Sequence, residues 1–222
     1  MPLVRTLVAA VALAAAAGCG QAPAPPTEAP PETSSSVQAA APRRADGAYA
    51  TIADYLAEAG VIETQVARDD PAAPRIDMPP PPGWVAAGDR TPPWAFSAFL
   101  SADPAVAADP PSITTLLYRL TGPVDTATLL TYASGELSNL PGFDNPGIAQ
   151  AATLSGFPAS QTGGSYVKDG VQRLVAQKTV PIPARDGDDV FVLQINANGP
   201  AGQWTPLLDA TRDLDTTTVI TP

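Results

Sequence analysis

Histidine is absent from all 222 residues. Its absence removes the commonest general base near neutral pH, the Ser-His-Asp arrangement and most catalytic zinc sites. Cysteine occurs once, as Cys19, and with that thiol acylated no thiol nucleophile remains. No GxSxG elbow, P-loop or GxGxxG is present. The chain is therefore expected not to be an enzyme, with no catalytic residue, no metal site and no cofactor. Positive charge is scarce as well: 12 Lys and Arg stand against 22 Asp and Glu, a formal net charge of −10. From Gly47 onward the count is 9 against 19, so phosphate backbones and anionic headgroups are both repelled and a nucleic-acid partner is excluded. No apolar run reaches the ~20 residues that span a bilayer.

What is present begins at the N-terminus. Arg5, the Ala/Leu/Val run from Leu7 to Ala17, and Gly18-Cys19-Gly20 describe a secretory signal with small residues before the break. The tetrad Ala16-Ala17-Gly18-Cys19 fits a lipobox, with Ala16 where a larger aliphatic residue is usual. Residues 1–18 are expected to be a lipoprotein signal peptide, and Cys19 the new N-terminus, thioether-linked to diacylglycerol and palmitoylated. Several acyl chains at ~0.8 kcal/mol per buried CH₂ would anchor the protein to the extracytoplasmic face of the cell membrane.

Proline is abundant, with 27 residues, and unevenly placed. The stretch QAPAPPTEAPPETSSSVQAAAPRR, from Gln21 to Arg44, has neither apolar periodicity nor an aromatic residue. Residues 19–46 are accordingly expected to be a disordered tether with a typical reach of roughly 25–30 Å. Residues 47–222 suit one domain by size.

Within that domain Thr51 to Gly60 reads as a capped amphipathic helix. Strands are expected at Val61–Ala67, Arg75–Met78, Trp94–Leu100 and Ser112–Leu120. A longer helix is expected from Asp125 to Leu140, ended by Pro141-Gly142. Further strands follow at Gln150–Leu154, Pro158–Val167, Val171–Ile182 and Val190–Ala197, with Asp169-Gly170 as a two-residue hairpin turn. Trp204 to about Asp215 completes the pattern as a third helix. Helices separated by groups of antiparallel strands indicate α+β, with helices packed on a mainly antiparallel sheet.

Three features look like sites and have plainer explanations. Asp186-Gly-Asp-Asp189 lacks the spacing of a calcium loop and reads as a polar hairpin loop. Gly163-Gly164-Ser165, between strand-like segments, reads as a bulge or bend. Asp69-Asp70 before Pro71 reads as an exposed turn. Candidate ligand-binding residues are Arg173 and Gln177 on one strand, Tyr166 on its neighbour, and Trp84 and Trp94 as cleft aromatics. Against this, a Trp beside prolines commonly plugs the edge of a domain.

The segments YLAEAGV, IDMPPPPGW, LSNLPGF, GGSYVKDG, RLVAQKTVPIP and FVLQINA, spread from about Thr51 to Pro222, resemble the mycobacterial LpqN/LpqT family of lipoproteins. The resemblance implies a Mog1/PsbP-like α/β/α sandwich with helices on both faces of the sheet, an actinobacterial envelope location and no established catalytic residues. The expected function is a non-catalytic, membrane-anchored protein that binds or helps handle cell-envelope lipids or glycolipids. The alternative is an adaptor that docks envelope transporters, acyltransferases or host proteins without a small ligand. A histidine-free glycoside hydrolase comes third, and it needs two carboxyl groups facing each other across a cleft.

Overall fold

A computed structural model describes residues 37–222; the signal segment and Cys19 lie outside the described residues. The elements, in chain order, are β1 (Val37–Gln38), α1 (Ile52–Ala59), β2 (Ile62–Gln65), β3 (Arg75–Asp77), β4 (Trp84–Ala86), β5 (Ser97–Ser101), β6 (Ser112–Thr121), α2 (Thr126–Tyr132), α3 (Gly135–Ser138), β7 (Ala149–Leu154), β8 (Phe157–Lys168), β9 (Val171–Pro183), β10 (Val190–Pro200), α4 (Trp204–Thr217) and β11 (Val219–Thr221). The main sheet runs β1-β7-β8-β9-β10-β6-β5-β4, with β2 along the second half of β6, and β3 pairs with β11 in a small separate sheet. Every pairing is antiparallel.

Two tight hairpins set the register from β7 to β9. Ser155-Gly156 (φ 51° and 83°) and Asp169-Gly170 (φ 51° and 77°) both place two left-handed residues at the turn, whose twist matches that of the flanking strands. The β10 sequence VFVLQINAN then assigns the two faces, because side chains alternate along a strand. Phe191, Leu193, Ile195 and Ala197 join Ile113, Leu117, Val180 and Ile182 in the main core, covered by Leu207, Ala210 and Leu214 of α4. Leu193, Val180 and Ile182 are completely buried, and each such side chain contributes roughly 1.5–3 kcal/mol. Val190 and Val192 point the other way, onto Leu120 and the inner faces of α1 and α2. Farther along that second face, Leu137 and Phe143 cover Tyr166. Helices therefore lie on both faces, as expected for the α+β class.

Local chemistry explains the helix ends. Thr51 Oγ1 accepts from Asp54 N (3.3 Å) while Asp54 Oδ2 accepts from Thr51 N (2.8 Å), a reciprocal cap. The Thr51 N–H, and then its hydroxyl at 2.9 Å, donate to the Asp54 carboxylate and hold it below its usual range. Gly60 closes α1 in the left-handed region at φ 67°. Asp125 accepts from the backbone N–H groups of Ala127 and Thr128 to start α2.

Four expectations change. Val37–Gln38 pairs with Gln150 and Ala149, and Ala41 is buried, so the fold takes in residues assigned to the tether; backbone pairing to a sheet edge needs no hydrophobic pattern. The long helix is two, broken at Ala133-Ser134, and Gly135, the first residue of the second, lies where an added Cβ would stand 1.9 Å from the Ala50 carbonyl oxygen. No bulge occurs at Gly163-Gly164, where β8 and β9 keep an unbroken register. Glycine is required there for a different reason: a Cβ on Gly164 would stand 2.3 Å from Asp144 Oδ1, the carboxylate that accepts from Ser165 N and Oγ. Finally, Trp84, outside every expected strand, begins a short one.

Candidate functional site

The second face of the sheet is only half covered, and its open part is polar. On β10, Gln194 and Asn196 follow Val192 at alternate positions. Gln177 lies opposite Asn196 on β9, and Thr114 lies opposite Asn196 on β6. Around this floor rise the start of α1 at Ile52 and Ala53, Glu63 of β2, Glu136 of α3, and Trp94 from the segment before β5. Together they enclose a cavity of about 420 Å³, also lined by Leu116, Tyr118 and Leu120. That volume lies within the range of small-molecule sites.

The cavity is rich in acceptors. Gln177, 6% exposed, donates from Nε2 to Asn196 Oδ1 (2.9 Å) and to Glu136 Oε2 (3.4 Å). Its Oε1 is buried without a partner, and an unmade hydrogen bond of this kind costs about 1–3 kcal/mol. Glu63 and Glu136 stand at the exposed rim. Burial first, then the charge of Glu136, holds the Glu63 carboxyl above its usual range. Burial and both carboxylates likewise push the Tyr118 phenol up. No Lys or Arg lines the space. Trp94, 52% exposed, gives one apolar wall and is anchored through its backbone carbonyl, which accepts from Gln65 Nε2 (2.8 Å). Such a site can accept hydrogen bonds from a hydroxyl- or amine-bearing group laid against an indole. Among the described residues no group of three or more His, Cys, Asp or Glu side chains could hold a metal ion.

Of the sequence candidates, Trp94 and Gln177 meet here. Trp84 does not: it is buried at 8% in the core of the opposite face, with Phe99 and Ile113, and is the plug that its proline neighbours suggested. Tyr166 and Arg173 share the face of Gln177 but belong to a closed network. Arg173 donates to both oxygens of Asp109 (2.6 and 3.1 Å) and to Asn198 Oδ1 (3.2 Å), while Asn198 Nδ2 donates to Tyr166 Oη (3.0 Å). The Asp109 carboxylate holds the guanidinium above its usual range, and is itself held below its own. Glu63, Tyr118, Glu136, Gln194 and Asn196 were missed. A signal for the last two was available: polar residues at period two inside an otherwise apolar strand. On the other face a second concavity, about 560 Å³, lies between α4 and β8–β9 beside Trp204, which is 53% exposed.

The family model described as probable lipoprotein LpqN matches residues 48–221. Lipoprotein LpqN of Mycobacterium tuberculosis is 45% identical over 181 residues, which cover 81% of this chain and 77% of that protein. The crystal structure of LpqN involved in cell envelope biogenesis of Mycobacterium tuberculosis superposes with a TM-score of 0.72 at 45% identity, covering 78% of this chain and 98% of that one. Among the described residues no helix is long and apolar enough to cross a membrane.

Proposed function

The chain belongs to the LpqN lipoprotein family, and on that premise we propose that it is a non-catalytic protein that binds the headgroup of a cell-envelope lipid or glycolipid. The observation that carries this reading is the polar cavity, whose lining joins the amides Gln177, Gln194 and Asn196 to the half-exposed Trp94. A sugar ring supplies several hydroxyl donors and an apolar face, so it matches both features. The relative's part in envelope biogenesis agrees with a ligand of this class.

Attachment fits the same role. Residues 1–18 act as the signal, and Cys19 carries the diacylglycerol and palmitoyl chains that hold the protein on the extracytoplasmic face of the membrane. With a net charge of −10, the protein has no electrostatic route to anionic headgroups, which leaves the lipid to do the anchoring. The residues lining the cavity include no histidine or cysteine to serve as base or nucleophile, which supports binding without chemistry. The rim carries two carboxyl groups, Glu63 and Glu136, so hydrolysis is tested alongside binding.

The deciding experiment is native mass spectrometry of the protein incubated with envelope lipid extract, with Trp94→Ala in parallel. A co-purifying glycolipid that leaves intact, and is lost with Trp94→Ala, supports the proposal. A chain that retains nothing and shows no thermal shift refutes it, and a cleaved ligand makes the protein an enzyme. A second reading, an adaptor for envelope proteins, is favoured by the exposed Trp204 beside the concavity on the opposite face.

A further inference from the structure

We propose that, with the cavity read as the headgroup site, the segment from Pro42 to Ala50 is a strap whose docking is coupled to occupancy of that cavity. The strap is a closed turn. Ala50 N donates to Pro42 O (2.7 Å), Arg44 N to Ala48 O (2.8 Å) and Gly47 N to Arg44 O (3.0 Å). Arg43 ties the turn across, donating to Gly47 O (2.6 Å) and to Tyr49 Oη (2.8 Å), with its guanidinium 4.1 Å from the centre of the Tyr49 ring. All these bonds stay within the strap, so it can leave the domain without breaking them. Its hold on the domain is mostly polar, because Ala50 alone among its residues is buried. Asn139 grips the Tyr49 backbone twice, accepting from Tyr49 N (2.9 Å) and donating to Tyr49 O (2.8 Å). The Tyr49 ring lies over Gly147, where an added Cβ would stand 2.8 Å from Cε1. A segment held by few buried apolar contacts belongs to the low-stability end of a fold.

The places where the strap docks are the supports of the cavity walls. Thr51, the residue after the strap, caps α1, and the first two residues of α1, Ile52 and Ala53, line the cavity. The Ala50 carbonyl lies against Gly135, whose neighbour Glu136 lines the cavity from α3. Asn139 ends that same short helix. The docked strap therefore sets the spacing of two walls. Undocked, Asn139 and the Tyr49 backbone turn to water, and the contact between Ala50 and Gly135 opens. A ligand that touches both walls binds the docked state better, and by reciprocity its binding holds the strap down. Asn139 is a positioning residue, since it does not line the cavity itself. Strand β1 and the strap also join these walls to the chain that leads back to Cys19, so a change in occupancy is passed to the point where that chain enters the fold.

Hydrogen exchange of the parent, Asn139→Ala and Arg43→Ala chains, each with and without octyl glucoside, tests the coupling. Neither residue lines the cavity, so neither substitution removes a ligand contact. In the parent, octyl glucoside is expected to slow exchange at the Arg44, Gly47 and Ala50 amides. Asn139→Ala loses two hydrogen bonds, each worth roughly fivefold in population, so it should speed those amides at least about tenfold. Calorimetry should show its octyl glucoside affinity reduced roughly fivefold, the low end of ordinary coupling. Arg43→Ala should move both readouts the same way, and it carries the test should Asn139→Ala fail to fold. Binding that leaves exchange in the strap unchanged, or a loosened strap that binds as tightly as the parent, overturns the coupling and leaves the headgroup site standing. If the parent does not bind octyl glucoside, the headgroup reading falls, and the link from strap to walls is judged on exchange alone. It stands if Asn139→Ala also speeds the Thr51 and Tyr55 amides, whose bonds start α1, and it is overturned if the change stops at Ala50.

Discussion

Gly135→Ala sets two effects against each other at the point where the cavity walls meet. Gly135 opens α3, and on helix propensity alone alanine is better than glycine by about 1 kcal/mol. The structure reverses the sign. A Cβ there would stand 1.9 Å from Ala50 O, 2.8 Å from the Ala50 carbonyl carbon and 3.1 Å from Thr51 Cα. All of these are backbone atoms that no rotamer change can clear. A relaxed carbon–oxygen contact is ~3.3–3.6 Å, so the two segments must part by about 1.5 Å. Overpacking of this kind costs ~1–3 kcal/mol and occasionally more, and a backbone obstacle places it at the upper end. The net destabilisation is about 1–2 kcal/mol, which at this chain length lowers Tm by ~2–8 °C. The displaced pieces are the α1 cap at Thr51 and the residue before Glu136, so both walls of the cavity move and headgroup affinity should fall with Tm. Thermal unfolding followed by circular dichroism measures the first effect and calorimetry the second. Gly202→Ala, with nothing within 4 Å of the new Cβ, serves as the control and should melt within a degree or so of the parent. A Gly135→Ala chain that melts at or above the parent temperature would falsify the packing argument.

Other expectations follow from single contacts. Tyr55 Oη accepts from Asp125 N (2.8 Å) and donates to Asp125 O (3.2 Å), so Tyr55→Phe should cost ~1–3 kcal/mol in urea unfolding; a loss under half a kcal/mol sinks that account. Trp94→Ala removes the apolar wall and should weaken headgroup binding at least roughly fivefold while leaving Tm nearly unchanged, because the side chain is half exposed. Glu63 has its folded pKa raised, so its ionised form opposes folding above that value and has no effect below the unfolded value. Glu63→Gln should therefore raise Tm near neutral pH and match the parent in acid; equal gains at both ends would contradict it. Asp109 has its folded pKa lowered by Arg173. Its contribution is present above the unfolded value and lost as pH falls through the folded one, so Asp109→Asn should be destabilising near neutral pH and silent in strong acid.

Much of the fold was legible because it depends on local pattern. Alternation in VFVLQINAN and SITTLLYRL, the Asp169-Gly170 turn, the Thr51/Asp54 cap and the apolar stripe of α4 each report a backbone period or a left-handed residue, and neighbours in sequence suffice for that. The packing need for glycine at position 135 was not legible, because the carbonyl it lies against belongs to Ala50, about 85 residues away in sequence. Val37–Gln38 was hidden for a related reason: edge pairing satisfies backbone groups whatever the side chains. The site divides along the same line. Sequence alone supplied the missing histidine, the single cysteine at position 19, the surplus of acidic groups, and Trp94 and Gln177 as candidates. Only the tertiary structure decided that Trp84 is core, that Arg173 is neutralised by Asp109, and that Glu63, Tyr118 and Glu136 gather from three separate elements around Gln177. A cavity forms where packing stops, and where packing stops is set by how the helices cover the sheet.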